Sequence, residues 1–248
     1  MTLHEAINIR TSRRTYIDAA LDENQIEKLQ KLIDEYNKIG GFRIELITNN
    51  GEAFKGFTRS YGMLSGVSHY LGFIADKNDP FADEKIGYYG QLLVLHATTL
   101  ELGTCWVGGT FSKAKTPFKL TLKERLACLI TVGKVETTPT GKEAFIYKLT
   151  HRKTKSASEM MMTTDTNTPS WFLQGMEAVV KAPSAMNKQP VIIHYDKDIV
   201  SANIKKARYL VDFDLGIAKL HFEIGAGGGT WEWGNGGKFK KAVEELIK

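Results

Sequence analysis

The chain has 248 residues, 42% of them apolar and 25% charged, with a formal net charge of +5. That balance excludes disordered, collagen-like and coiled-coil classes. At about 150 residues per domain it is long for one domain and short for two. Cys105 and Cys128 form no CxxC pair, as expected of a reduced, cytoplasmic protein. Residues 1–16 lack the apolar run of a signal peptide, and no apolar segment reaches the roughly 18 residues of a membrane span.

In chain order, residues 3–9 read as a short helix leading into Arg10-Thr11-Ser12-Arg13-Arg14. Asp22 caps a second helix in which Ile26, Leu29, Leu32, Ile33 and Tyr36 share one face, ended by Gly40-Gly41. Residues 42–48 alternate as a strand, Asn49-Asn50-Gly51 is a turn, and a second strand is expected at 69–75. Residues 84–102 form the clearest helix. Ile86, Tyr89, Leu92, Leu93, His96, Ala97 and Leu100 make a wide apolar stripe, buried on most sides, with Gly103 as the expected C-cap. A short helix should follow Phe111, and residues 129–135 read as a central strand, apolar on both faces. Residues 151–168 lose periodicity and read as a linker closed by Pro169. Beyond it come a helix at 170–181, a loop at 182–190, a strand at 191–195, a helix at 213–224 and a Gly-rich tail expected to be a flexible loop.

The two halves echo each other. Helix, turn and strand over 25–48 recur over 172–195, and residues 96–103, followed by glycines and Trp106, are echoed by 219–225, followed by glycines and Trp231. Two matches in the same order favour a duplication. The expected division is a lobe of residues 1–155 and a shortened lobe of residues 156–248.

Three segments carry candidate chemistry. Arg10, Ser12 and Arg14 alternate, so an extended backbone would aim two guanidiniums and a hydroxyl the same way, a cradle for phosphate; the alternative is an exposed basic turn. Ala182-Pro183-Ser184-Ala185-Met186-Asn187-Lys188-Gln189-Pro190 is a stiff polar loop suited to the edge of a planar heterocycle, or else a plain helix-to-strand connection. Gly103 to Gly109 would let backbone approach a ligand between apolar walls at Trp106 and Phe111, or serve as a cap and tight turn. The GxGxG of the tail follows a helix and lacks a GK[ST] ending, so it is neither a dinucleotide fingerprint nor a P-loop. Trp231 and Trp233 could cover a cleft or fill a core. The histidines have no metal-ligand spacing, His96 reads as a core residue, and there is no GxSxG elbow.

Together, Arg10-Thr-Ser12-Arg-Arg14, Pro183-Ser-Ala-Met-Asn187-Lys-Gln189-Pro190 and Leu102-Gly-Thr-Cys-Trp-Val-Gly-Gly109 resemble the nitroreductase family of FMN-dependent NAD(P)H oxidoreductases. The resemblance implies an α+β fold, with helices around a mostly antiparallel central sheet, built here as two pseudo-repeated lobes. It covers most of the chain but departs in order: the PSxxNxQP-like segment, which in the family follows RxSxR in the same lobe, stands here in the second. The chain thus resembles two family subunits fused and shortened, which implies one FMN per chain and a monomeric pseudo-dimer or weak homodimer. On that basis Arg10, Ser12 and Arg14 would hold phosphate and ribityl, with Arg152 or Lys153 as a later basic contact. Pro183, Ser184, Ala185, Asn187 and Gln189 would line the flavin ring, with Gly108 and Gly109 beside it. NAD(P)H would be the reductant and a quinone, nitroaromatic or free flavin the acceptor, with the chemistry centred on the flavin. Two other readings stand beside it: a catalytically silent flavin carrier, and a basic nucleic-acid module resting only on residues 10–14. The first reading expects no nucleic-acid partner and no metal.

Overall fold

Thr2 caps α1 (Leu3–Ile9) and Glu5 answers it, Oε2 accepting from Thr2 N at 2.7 Å. Asp22 and Gln25 open α2 (Glu23–Tyr36) in the same reciprocal way. The computed structural model describes residues 1–55, 63–150, 153–165, 167–204 and 210–242. The apolar stripe of α2, centred on Leu29 and Ile33, packs in one cluster with β1 (Phe42–Ile47), β2 (Tyr70–Asp76) and the long helix α3 (Ala82–Thr99). Then come β3 (Gly103–Val107) and β4 (Glu124–Gly133), completing an antiparallel sheet of order β1-β2-β4-β3. β4 is central, as an apolar run on both faces requires. α4 (Gly141–Thr150), α5 (Ala157–Met160) and β5 (Met161–Thr163) lead into the second lobe.

That lobe holds α6 (Ser170–Val180), β6 (Val191–Asp196), β7 (Ile199–Ile204), α7 (Val211–Gly225), β8 (Gly229–Trp231) and β9 (Lys238–Lys241). Its sheet runs β5-β6-β7-β9-β8, with β5 parallel to β6 and the other pairs antiparallel. The series α2-β1-β2-α3-β3-β4 therefore recurs as α6-β6-β7-α7-β8-β9, with the same pairing order in each sheet.

The helices α3 and α7 cross where both lack a side chain. Gly87 and Gly216 are the sixth residues of their helices, and each sits against the third residue of the other. A Cβ on Gly87 would stand 2.2 Å from Phe213 O, and one on Gly216 would stand 1.9 Å from Glu84 O. Backbone meets backbone there, so only glycine fits.

Several expectations change. The single central sheet is two sheets, one in each lobe. The stretch expected as a linker contributes β5, which extends the second sheet, and its Met160 is buried in that lobe's core. Gly103 is not a helix cap: Leu100 caps α3, Glu101 takes the left-handed conformation (φ 61°), and Gly103 opens β3 with Arg13 and Val135 packed on it. The helix expected after Phe111 is a single 3₁₀ turn, Lys113–Lys115. The Gly-rich tail is a β8–β9 hairpin rather than a loose loop. Lys219 Nζ donates to Glu232 O (2.8 Å) and Gly234 O (2.9 Å) while pairing with Glu84, and Trp231 Nε1 donates to Lys219 O. Trp231 packs among Phe222 and Phe239, and Trp233 against Tyr88 and Tyr89. Both are half-buried, Trp231 against the second lobe's core and Trp233 against the two tyrosines. The echo of residues 96–103 in 219–225 has the right elements but the wrong register, because the crossing pairs Gly87 with Gly216.

Candidate functional site

Leaving α1, the chain extends at Arg10 (φ −58°, ψ 127°) and runs beside β3, with Ser12 bridged to Thr104 in parallel and Arg13 N donating to Thr104 O at 2.9 Å. In an extended segment alternate side chains separate to opposite faces. Ser12 and Arg14 accordingly line a cleft between the lobes, while Arg13 turns away and is buried on Glu143.

Glu143 fastens this segment. It closes a capping box with Thr140, whose N donates to Oε2 at 2.8 Å, and accepts from Arg14 N (2.6 Å) and Thr15 N (3.1 Å) at Oε1. Arg13 Nε adds an ion pair at 3.2 Å, and Arg13 Nη1 donates to Glu136 O. Burial alone would raise this carboxyl, but the N–H groups of Arg14, Thr140 and Thr15 and the Arg13 guanidinium outweigh it and hold it at about 2. Tyr16 also braces the segment, its hydroxyl donating to Arg13 O at 2.8 Å.

The opposite wall comes from the second lobe: Pro183, Ser184, Ala185 and Met186 from the loop, and Leu210, Phe213, Asp214 and Ile217 from the start of α7. Cys105, Trp106, Gly108 and Cys128 form the first-lobe side. The cleft is about 160 Å³, below the roughly 300–1,000 Å³ that encloses a whole drug-sized ligand, so a cofactor would be only partly enclosed. The loop is held under strain. Met186, Asn187 and Gln189 take left-handed φ values of 54°, 51° and 44°, at a cost of about 1–3 kcal/mol for each such residue. Hydrogen bonds over-determine it: Ser184 Oγ accepts from Gln189 N, Gln189 Nε2 donates to Val180 O, Gln189 Oε1 accepts from Lys155 N, and Lys155 Nζ donates to Gln189 O.

Arg10, expected to point with Ser12 and Arg14, is not in the lining, but it is close enough to Cys105 that each influences the other's charge. Burial pushes its guanidinium down to about 10, and its Nε is buried with no hydrogen-bond partner. Neither Arg10 nor Arg14 forms an ion pair among the described residues. Both cysteines are free and buried, and burial pushes both thiols up.

A family model described as "Putative TM nitroreductase" matches residues 2–226. The chain belongs to this nitroreductase family. A structure from Thermotoga maritima with the same nitroreductase description shares the fold, with a TM-score of 0.66 at 19% identity over 96% of this chain and 92% of that one. A nitroreductase family protein from Clostridium difficile matches at 19% identity, over 68% of this chain and all of its own, with a TM-score of 0.48. A Desulfovibrio desulfuricans nitroreductase solved in complex with FMN matches at 18% identity, over 58% of this chain and 95% of its own, with a TM-score of 0.42. No curated protein sequence matches the chain.

The structure brings together half of the residues expected from the nitroreductase resemblance. Ser12, Arg14, Gly108, Pro183, Ser184 and Ala185 line one cleft, with Arg10 near its Cys105. Gln189, expected at the flavin ring, is not in the lining: it is 2% exposed and its amide is engaged at both ends within the loop. Asn187 lies in the same left-handed turn, outside the lining. Gly109 is exposed with nothing within 4 Å of a would-be Cβ, and Lys153 is exposed away from the cleft, acting on Glu159. Arg152 lies outside the described residues. Among the described residues no group of side chains could hold a metal, and no helix is long and apolar enough to cross a membrane.

Three contributors are absent from the sequence expectation. Glu143 stands in a Thr-x-x-Glu capping-box spacing, and Asp214 is one of two acids, with Asp212, in the first turn of α7; both signals are visible in the chain. The third is a buried relay that fixes Trp106. The indole Nε1 donates to Gln91 Oε1 (3.0 Å), Gln91 Nε2 donates to His221 Nε2 (2.9 Å), and His221 Nδ1 donates to Ala178 O (2.9 Å). Burial pushes His221 down to about 3, so the neutral tautomer is the one in place. Nothing local in the sequence pairs Gln91 with His221.

Proposed function

We propose that the interlobe cleft binds FMN and that the protein is an NAD(P)H-dependent oxidoreductase reducing a quinone, nitroaromatic or flavin acceptor. The observation that carries this reading is the pair Arg10 and Arg14, cations with no ion-pair partner among the described residues, converging near a cleft walled by apolar side chains and a strained polar loop. An orphaned buried guanidinium nitrogen calls for an anion. A phosphate is the anion that two planar forks and the Ser12 hydroxyl suit best.

On this reading Arg10, Ser12 and Arg14 hold the phosphate end. Pro183, Ser184 and Ala185 border the ring, with Trp106, Leu210, Phe213 and Ile217 as apolar walls. Gly108 lies where a Cβ would stand 2.8 Å from Leu210 Cδ1, so its bareness keeps the cleft open. Bound FMN would supply hydride and electron transfer between nicotinamide and acceptor. The chain's part is to orient the ring, exclude water from one face and balance phosphate charge. Arg13, the third cation of the cluster, is buried on Glu143, so residues 10–14 do not present three cations together to a nucleic acid.

The shared topology of the lobes and the reciprocal Gly87–Gly216 crossing support a fused pseudo-dimer, and a single cleft joining the arginine segment of one lobe to the polar loop of the other supports one cofactor per chain. Titrating the purified protein with FMN tests both points: quenching of flavin fluorescence at one equivalent is expected, with bleaching on addition of NADH or NADPH. Two equivalents would overturn the shared site, no binding the flavin reading, and binding without bleaching would leave a flavin carrier.

A further inference from the structure

Asp214 lines the cleft at the first turn of α7 and is only 5% exposed. Its Oδ1 accepts the Ala185 N–H at 2.9 Å, the one direct bond between α7 and the strained loop recorded among the described residues. We propose that Asp214 is a proton-linked positioning residue: protonated, it latches the loop of residues 184–189 over the cleft, and ionised, it releases the loop and weakens the grip on the cofactor. The second half rests on the FMN reading; the first does not.

The direction follows from solvation. A closed loop keeps the Asp214 carboxyl away from water, and burial pushes that carboxyl up to about 7, against the smaller pull of the Ala185 N–H and Lys188. Opening the loop would hydrate the carboxyl and return it toward its ordinary acidity. The closed state therefore binds the proton more tightly, and by linkage it is favoured below neutrality and lost as pH rises. The neutral acid still accepts from Ala185 N through its carbonyl oxygen and gains an O–H donor. The strain at Met186, Asn187 and Gln189 supplies the opposing tendency to open.

Charged and titratable groups face Asp214 from across the cleft, from the loop, from α7 and from α3. Across the cleft stand Arg14, a cation, and Cys105 and Cys128, both pushed up by burial. Lys188, on the loop, is a cation. On α7, Asp212 is raised by burial beside Asp83. On α3, Asp83 pairs with Arg125, Glu84 pairs with Lys219, and burial pushes Tyr88 far up.

The test is amide hydrogen exchange on the full-length, FMN-free chain at pH 6 and pH 8, corrected for intrinsic rates, with Asp214→Asn and Asp214→Ala beside wild type. Asparagine keeps the acceptor and a donor but does not titrate. Wild type should lose roughly tenfold of its protection at residues 184–189 between pH 6 and pH 8. Asp214→Asn should stay protected at both, and Asp214→Ala should be open at both. Equal protection of the wild-type loop at the two pH values, or the same pH response in Asp214→Asn, would overturn the latch; the asparagine variant decides alone if the alanine variant does not fold. FMN affinity read by fluorescence should fall with pH in wild type more than in Asp214→Asn, while the phosphate's own titration is common to both. An intact exchange response without FMN binding upholds the latch and removes only the flavin reading.

Discussion

Two buried carboxylates organise the cleft, one for each wall, and they are tuned in opposite directions. Glu143 receives three backbone N–H groups and a guanidinium and is held at about 2. Asp214 receives one N–H and a weaker pull from Lys188, and is pushed up to about 7. Each exposes only 5% of its surface. The difference lies in depth and donor number: Asp214 is set deeper among protein atoms, and several N–H groups and a cation replace the lost water around a carboxylate where a single N–H does not. The arginine segment is therefore fastened permanently, whereas the loop facing it is fastened conditionally.

Breaking the permanent fastening should have the largest effect. Glu143→Gln removes the charge that balances buried Arg13, and about 3 kcal/mol of stability should go with it. The folded-state value lies below the ordinary carboxylate value, so Glu143 contributes stability that is full above pH 4.5 and lost as pH falls toward 2. Urea unfolding of wild type and variant should differ at pH 7 and converge near pH 2. The counterpart at Asp214 should have the opposite sign. Its folded-state value is raised, so ionisation costs stability that is present at low pH and lost as pH rises through 7. Asp214→Asn should therefore raise the unfolding free energy at pH 8 by roughly 2–3 kcal/mol and leave it near wild type at pH 4. A loss of stability at pH 8 would show that the carboxylate is as well provided for as Glu143.

These two residues also mark what the sequence made legible. Helix α3, strands β1, β2 and β4 and the shared face of Ser12 and Arg14 follow from periodicity, and the structure has them; β3, read as a cap and turn, and Arg10, outside the lining, do not. Period alone could not say which arginine faces inward, because that depends on Glu143, 130 residues from Arg13 in sequence. Gln189 and Ser184 are equally polar on paper. One closes a turn by bonding Val180 and Lys155, while the other lines the cleft, and only the three-dimensional path separates them. The Gly-rich tail looked loose because the groups that order it, Lys219 and Glu84, lie on two different helices.

Between the walls, Arg10→Ala and Arg14→Ala should each weaken FMN by roughly 10- to 100-fold, the worth of a charge-assisted bond to phosphate. Arg14 lines the cleft directly, so its loss should also steepen the dependence of the remaining affinity on Arg10. Fluorescence titration at fixed ionic strength reads both. If neither change alters affinity, the phosphate lies elsewhere and the comparison of the two walls loses its functional meaning.

The smallest effect separates two neighbours on the rim. A methyl on Gly108 would press on Leu210 Cδ1 at 2.8 Å, the movable tip of a side chain, whereas one on Gly109 would meet nothing within 4 Å. Gly108→Ala should therefore narrow the cleft and weaken FMN by a few-fold, on the order of 1 kcal/mol, with little change in unfolding. Gly109→Ala should leave affinity within error and stability unchanged or slightly higher, since a less flexible unfolded chain favours folding. Leu210 belongs to the same α7 start as Asp214, so the Gly108→Ala cost should grow at low pH, where the loop is closed and Leu210 has least room to yield. A cost independent of pH would mean that the rim and the latch move separately.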